Sequence, residues 1–119
     1  MKVVLLVEDT QDLLEEISLI LEMEGFRVIV ANSGHQGLER LQEITPNIII
    51  TDLLMPGMDG FDLIEKIKKD PLLMAVPIII LSAKTNTSDK KRGAMMGVSA
   101  FIGKPCKGFE LVAAVRSFC

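Results

Sequence analysis

Three carboxylates, a hydroxyl and an ammonium each follow a short apolar run in this chain: Glu8 and Asp9, Asp52, Ser82, and Lys104. If these groups converge, their chemistry is constrained. Two unit charges ~4 Å apart interact by about 4 kcal/mol at the effective dielectric of a protein edge. Three gathered carboxylates therefore need a counter-charge, and a bound hard cation supplies it more directly than protonation does. All-oxygen ligation with room for water suits Mg²⁺. A carboxylate beside such a cation, with a lysine in reach, is a good receptor for a phosphoryl group. Taken singly, each residue has a plainer reading. Asp9, Asp52 and Ser82 would be caps or turn residues, Glu8 a solvated carboxylate, and Lys104 a surface lysine. The chemical reading rests on convergence.

The elements that must produce it are legible as periodicity. Five apolar runs read as strands: Val3 to Val7, Arg27 to Ala31, Ile48 to Thr51, Ile78 to Leu81 and Ala100 to Ile102. The first, third and fourth are nearly continuous Val/Ile/Leu, as strands are when both faces are covered in a parallel sheet. Helical spacing fills the gaps. Leu13, Ile17, Ile20 and Leu21 share a face ahead of Gly25, where a helix should stop. Ser33 and Gln36 have capping-box spacing and open a helix that ends before Pro46. Asp59-Gly60 precedes Phe61, Ile64 and Ile67, with Pro71 closing. Several N-caps in 85–89 open a helix running toward Gly97, and Lys107 to Phe118 is the last. Strand and helix alternate five times, which predicts an α/β domain, a doubly wound five-stranded parallel sheet with five helices on its two faces. Sites in such sheets form at the carboxyl ends of the strands, near the point where strand order reverses.

Bulk properties bound the function class. At 119 residues the chain is the size of one domain, 1–119, and 49% hydrophobic with 24% charged residues is a globular mix. A net charge of −3 argues against direct nucleic-acid binding by this domain. Cys106 and Cys119 have no metal or redox spacing and read as free thiols of a reducing compartment. The Val3 to Val7 run is too short for a signal-peptide core, and no stretch approaches a membrane-spanning length. A cytoplasmic protein is expected.

Val7-Glu8-Asp9, Asp52-Leu53-Leu54-Met55-Pro56-Gly57-Met58-Asp59-Gly60, Ser82-Ala83 and Lys104-Pro105 together resemble the response-regulator receiver domain. The resemblance covers essentially the whole chain. It implies the flavodoxin-like strand order 2-1-3-4-5 and a phosphoacceptor switch rather than an enzyme acting on an external substrate. Asp52 would take a phosphoryl group from the phosphohistidine of a histidine kinase or phosphotransfer protein. Asp9 and Asp52 would ligate Mg²⁺, Glu8 through water, and Leu54 through its backbone carbonyl. Lys104 would contact a phosphoryl oxygen, Ser82 would turn its hydroxyl onto the phosphoryl group, and Phe101 would be the switch aromatic that follows. Lys104-Pro105 matches a peptide bond that is typically cis in the family. Output would pass through the fourth helix, fifth strand and fifth helix, where Lys90-Lys91-Arg92 falls; that face is also a candidate homodimer interface. An apolar Leu54 would shield Asp52 from attacking water. Cys106 stands where the family often has an aromatic, which predicts looser packing there. Met95-Met96 read as core or gap-filling residues, and the lone His35 is assigned no role.

Other classes fit less well. An aspartate-nucleophile phosphatase would need an Asp where Leu54 stands, and a flavin module would need a Ser/Thr/Gly-rich loop where Glu8-Asp9-Thr10-Gln11 stands. A receiver that had lost phosphorylation would lack one of these site residues. The output partner or domain, and whether the receiver stands alone or belongs to a longer regulator or hybrid kinase, are left open by these residues.

Overall fold

The computed structural model describes residues 1–119. Five parallel strands, β1 (Val3–Val7), β2 (Arg27–Ala31), β3 (Ile48–Thr51), β4 (Ile78–Ser82) and β5 (Ala100–Gly103), lie in the order β2-β1-β3-β4-β5. Helices α1 (Gln11–Met23), α2 (Gly34–Glu43), α3 (Gly60–Lys69), α4 (Thr87–Met95) and α5 (Gly108–Phe118) connect them. The strand order expected from the resemblance is observed. The chain leaves β1 toward β2, then crosses back to place β3 on the other side of β1. That reversal opens a crevice between the ends of β1 and β3.

Two cores sandwich the sheet. Leu5, Val7, Ile49, Ile78 and Ile80 point to the side of α3, whereas Val4, Leu6, Ile48, Ile50, Ile79 and Leu81 point to that of α1 and α5. Side chains alternate faces along a strand, so covering both faces turns an alternating pattern into the continuous apolar runs seen in the sequence. Burial is complete at Ile48, Ile49, Ile50, Ile78, Ile79 and Ile80, each contributing about 1.5–3 kcal/mol.

Helix boundaries follow local chemistry. Gly25 ends α1 with a φ of +94°, a conformation glycine adopts at little cost. The buried face of α1 is Leu14, Ile17 and Leu21. Leu13 and Ile20, expected on that face, are half-buried because they border the cleft toward α5 rather than the sheet. Ser33 Oγ accepts from the Gln36 amide, but the Gln36 side chain accepts from Asn32 N–H at 2.7 Å, one residue ahead of a reciprocal capping box. Asp59 and Asp62 do form that box at the start of α3. Asn86 caps α4. One expectation is corrected: Met95 is 88% exposed, while Met96 packs against the core. Met95 points outward from the last turn of a helix that offers the sheet only a narrow face.

The turn between β3 and α3 sets the crevice wall. Pro56 presets φ near −65° and Gly57 takes a φ of +80°, the pairing a type II turn requires. Gly60 then packs so tightly that a Cβ would strike the Asp52 carbonyl and lie 2.8 Å from Leu53 Cα. Gly60→Ala is expected to cost about 3 kcal/mol, the high end for overpacking, because backbone and not a flexible side chain must yield. A urea melt within about 1 kcal/mol of wild type would contradict this.

Candidate functional site

Register places the polar residues together. Val7 pairs with Thr51, and Thr51 with Ile80, so Glu8 and Asp52 leave adjacent strands at the same level. Backbone bonds carry the ladder just past the strand ends: Asp52 N–H donates to Val7 C=O and Lys104 N–H to Ser82 C=O. Ser82 pairs with Gly103, the residue before Lys104. Strands β1, β3, β4 and β5 are consecutive in the sheet. The convergence inferred from strand ends is therefore what the fold produces.

The Lys104 ammonium sits between two carboxylates, 2.6 Å from Glu8 Oε1 and 2.8 Å from Asp52 Oδ2. Glu8 is 2% exposed and Asp52 7% exposed, so the solvated reading of Glu8 does not hold. Its other oxygen accepts from Thr10 N–H at 3.1 Å. Asp52 Oδ1 accepts from the Leu53 and Leu54 amides at 2.7 and 3.3 Å, an arrangement that fixes the carboxylate plane. Burial disfavours the Lys104 ammonium, but the hydrogen bonds and charges of Asp52 and Glu8 outweigh it and hold its pKa above the ordinary 10.5. Lys104 is thus cationic throughout the neutral range. The Lys104–Pro105 peptide is cis, as the resemblance implies.

Asp9 is exposed, and its carboxylate lies with those of Glu8 and Asp52, ligand oxygens within 4.8 Å of one another. Three carboxylates against one ammonium leave two net negative charges in the crevice. The Leu54 carbonyl, two residues after Asp52, accepts no backbone hydrogen bond. The donor set is all hard oxygen, one side opens to solvent through Asp9, and the charge matches a divalent ion. The residues fit Mg²⁺.

Ser82 is fully buried, and its Oγ accepts from the Lys84 amide at 3.1 Å rather than bonding to Asp52. Phe101 on β5 is half-buried against the α3-side core. Arg92 leaves the basic run to stack on Phe61, 4.1 Å from its ring centroid, whereas Lys90 and Lys91 are exposed. His35 is exposed beside the Gly57 turn.

One feature escaped the sequence reading, and a second was foreseen only as looser packing. Asp89 is buried and paired with Lys84; a helix-start Asp reads as a cap, and no periodicity marks it otherwise. The small Cys106 borders a groove of about 260 Å³ between α1 and α5, lined by Leu13, Ile17, Ile20 and Leu111 together with Lys104. Burial and the neighbouring Glu110 charge push the Cys106 thiol above its ordinary 9.0. The looser packing expected at Cys106 takes this form.

Comparison with known proteins agrees with the geometry. The family model for the response regulator receiver domain matches residues 4–116. The DNA-binding response regulator MtrA of Mycolicibacterium paratuberculosis is 39% identical over 114 residues, 96% of this chain and 49% of that protein. The chain spans about half the length of the curated relatives it matches. Among solved structures, chemotaxis protein CheY4 of Vibrio cholerae superposes with a TM-score of 0.95 at 26% identity, covering 100% of this chain and 99% of that one. The receiver domain of a histidine kinase from Syntrophus aciditrophicus gives 0.91 at 33% identity, covering 99% and 89%. With the fold, the acidic crevice and the family match in agreement, the chain belongs to the response regulator receiver domains, the phosphoacceptor modules of two-component signalling.

Proposed function

We propose that residues 1–119 form one receiver domain in which Asp52 accepts a phosphoryl group from the phosphohistidine of a histidine kinase or phosphotransfer protein. The observation that carries this is the Asp52 carboxylate at the sheet's switch point, clamped by two amides and Lys104 and flanked by Glu8 and Asp9. An Asp52 oxygen attacks phosphorus, and the P–N bond of the phosphohistidine breaks with its electron pair passing to the imidazole. The product is an acyl phosphate. Lys104 follows a phosphoryl oxygen as charge shifts, and Ser82 leaves the Lys84 amide to donate its hydroxyl to another. Phe101 then repacks, altering the surface of α4, β5 and α5. Leu54, apolar and 53% exposed, offers no group to orient water against the acyl phosphate, so no rapid self-dephosphorylation is built in.

Asp9 and Asp52, the Leu54 carbonyl, and Glu8 through water would hold Mg²⁺. When bound, it neutralises the crevice and screens the incoming phosphoryl charge. Mg²⁺ at ten times its dissociation constant should stabilise the fold by about 1.4 kcal/mol. Asp9→Asn should lose most of that thermal shift while its unliganded stability is unchanged or higher, because one repelling charge is gone. An undiminished Mg²⁺ shift in Asp9→Asn would exclude Asp9 as a ligand.

A surface for the donor is available along α1. Helix α1 carries Asp12, Glu15, Glu16 and Glu22 and no basic residue, and it borders the apolar groove that Lys104 also lines. No helix is long and apolar enough to cross a membrane, and a cytoplasmic site of action fits the donor chemistry. DNA binding, named for the MtrA relative, would belong to an output region and not to this acidic domain. The direct test is incubation with acetyl phosphate and Mg²⁺. One alkali-labile phosphoryl adduct mapping to Asp52 is expected; a protein-bound flavin or rapid turnover of phosphate esters would overturn the reading.

A further inference from the structure

Helix α4 is anchored unlike its neighbours. Helix α3 buries Phe61, Leu63, Ile64 and Ile67, and α5 buries Leu111, Val112 and Val115. By contrast, α4 buries only Asp89 and Gly93. No large apolar side chain of α4 is buried in either core.

Its one buried side chain is polar. Asp89 is 8% exposed, and its Oδ2 accepts a hydrogen bond from Asn86 Nδ2 at 2.9 Å and forms an ion pair with Lys84 Nζ at 3.2 Å. Asn86 is tied to the start of α4, so only Lys84 connects Asp89 to the strand end. The other end of Lys84 is held as well: its amide donates to Ser82 Oγ at 3.1 Å. Lys84 also lines a shallow cavity of about 350 Å³ with Leu53 and Leu54, whose amides grip Asp52. A single residue thus touches the Ser82 hydroxyl through its backbone and the anchor of α4 through its side chain, beside the phosphoacceptor.

We propose that Lys84 and Asp89 form a latch that seats α4 in the unphosphorylated protein and opens when Asp52 is phosphorylated. This rests on the phosphoacceptor reading of Asp52. Turning Ser82 Oγ onto the phosphoryl group removes the acceptor of the Lys84 amide and frees the 82–86 backbone. The phosphoryl group adds about two negative charges, which compete with Asp89 for the Lys84 ammonium. Once Lys84 changes partner, Asp89 is a buried carboxylate without its cation, and the seat of α4 is unfavourable. Only the Arg92 stack on Phe61 and Met96 at the C-cap oppose the movement, so the helix lifts and uncovers Gly93 and the neighbouring Phe101 ring. Lys84 and Asp89 act as positioning residues.

Amide hydrogen exchange over 87–95, with the phosphoryl adduct measured by mass in the same samples, tests the latch. In wild type, exchange should rise about fivefold on phosphorylation, the scale of one partly exposed ion pair. Untreated Lys84→Ala should already exchange at that raised level and change little further when phosphorylated. Lys84→Arg, which keeps the cation, should behave as wild type. Lys84 is half-exposed, so its replacement leaves the fold intact. Untreated Lys84→Ala exchanging like untreated wild type, or Lys84→Arg exchanging like Lys84→Ala, would overturn the proposal. Absence of an adduct on wild type would instead overturn the phosphoacceptor reading, and the untreated samples would still decide whether Lys84 seats α4.

Discussion

Asp52→Asn is expected to abolish the phosphoryl adduct, a loss of at least about a thousandfold in rate. The amide oxygen carries no formal charge and is a poor nucleophile toward phosphorus. It also weakens the metal site, because a carboxylate ligand becomes a neutral carbonyl. The variant should nevertheless fold. Its side-chain oxygen can still accept from the Leu53 and Leu54 amides, and Lys104 keeps its 2.6 Å contact with Glu8. Stability within about 1 kcal/mol of wild type would fit the removal of one of three crowded charges. Intact-mass measurement after acetyl phosphate and Mg²⁺ reads the adduct, and a urea melt reads the fold. A full adduct on Asp52→Asn would place the phosphoacceptor elsewhere and dismantle the site as described.

Lys104→Met should show the next largest effect, on both rate and stability. Lys104 is the cation that contacts both buried carboxylates. Its removal should slow phosphorylation about 10²- to 10³-fold, the range for losing one preorganised charge partner of a transition state. The fold should lose about 3 kcal/mol, because Glu8 and Asp52 remain buried without their cation. The pH dependence follows from the raised Lys104 pKa. A group whose pKa is higher folded than unfolded contributes fully below its unfolded value. That contribution disappears as pH rises through the folded value, which here lies above 10.5. Wild type should therefore keep this advantage over Lys104→Met throughout the neutral range and lose it only in strong alkali. Equal urea midpoints for the two proteins at pH 7 would show that the ion pairs contribute nothing to the fold.

Much of this was written along the chain. The apolar runs located the strands to within a residue or so, because a strand buried on both faces is built from a near-continuous run rich in Val, Ile and Leu. Glycines and prolines marked the breaks for reasons of backbone geometry, as at Gly25 and Pro46. Glu8, Asp9, Asp52, Ser82 and Lys104 could be picked out because each follows a strand, and strand ends in such sheets share a rim.

The pairings among those residues were not legible. Lys104 meets Glu8 and Asp52 across sequence separations of 96 and 52 residues, and a one-dimensional pattern carries no information about which carboxylates a lysine will bridge. The packing of α4 was equally hidden. Its sequence promises caps and charges, and only the tertiary structure decides that Asp89 turns inward onto Lys84 while Met95 turns outward. The reason is physical: local propensity and periodicity act within a few residues. The partner of a buried charge depends on where distant strands place their ends.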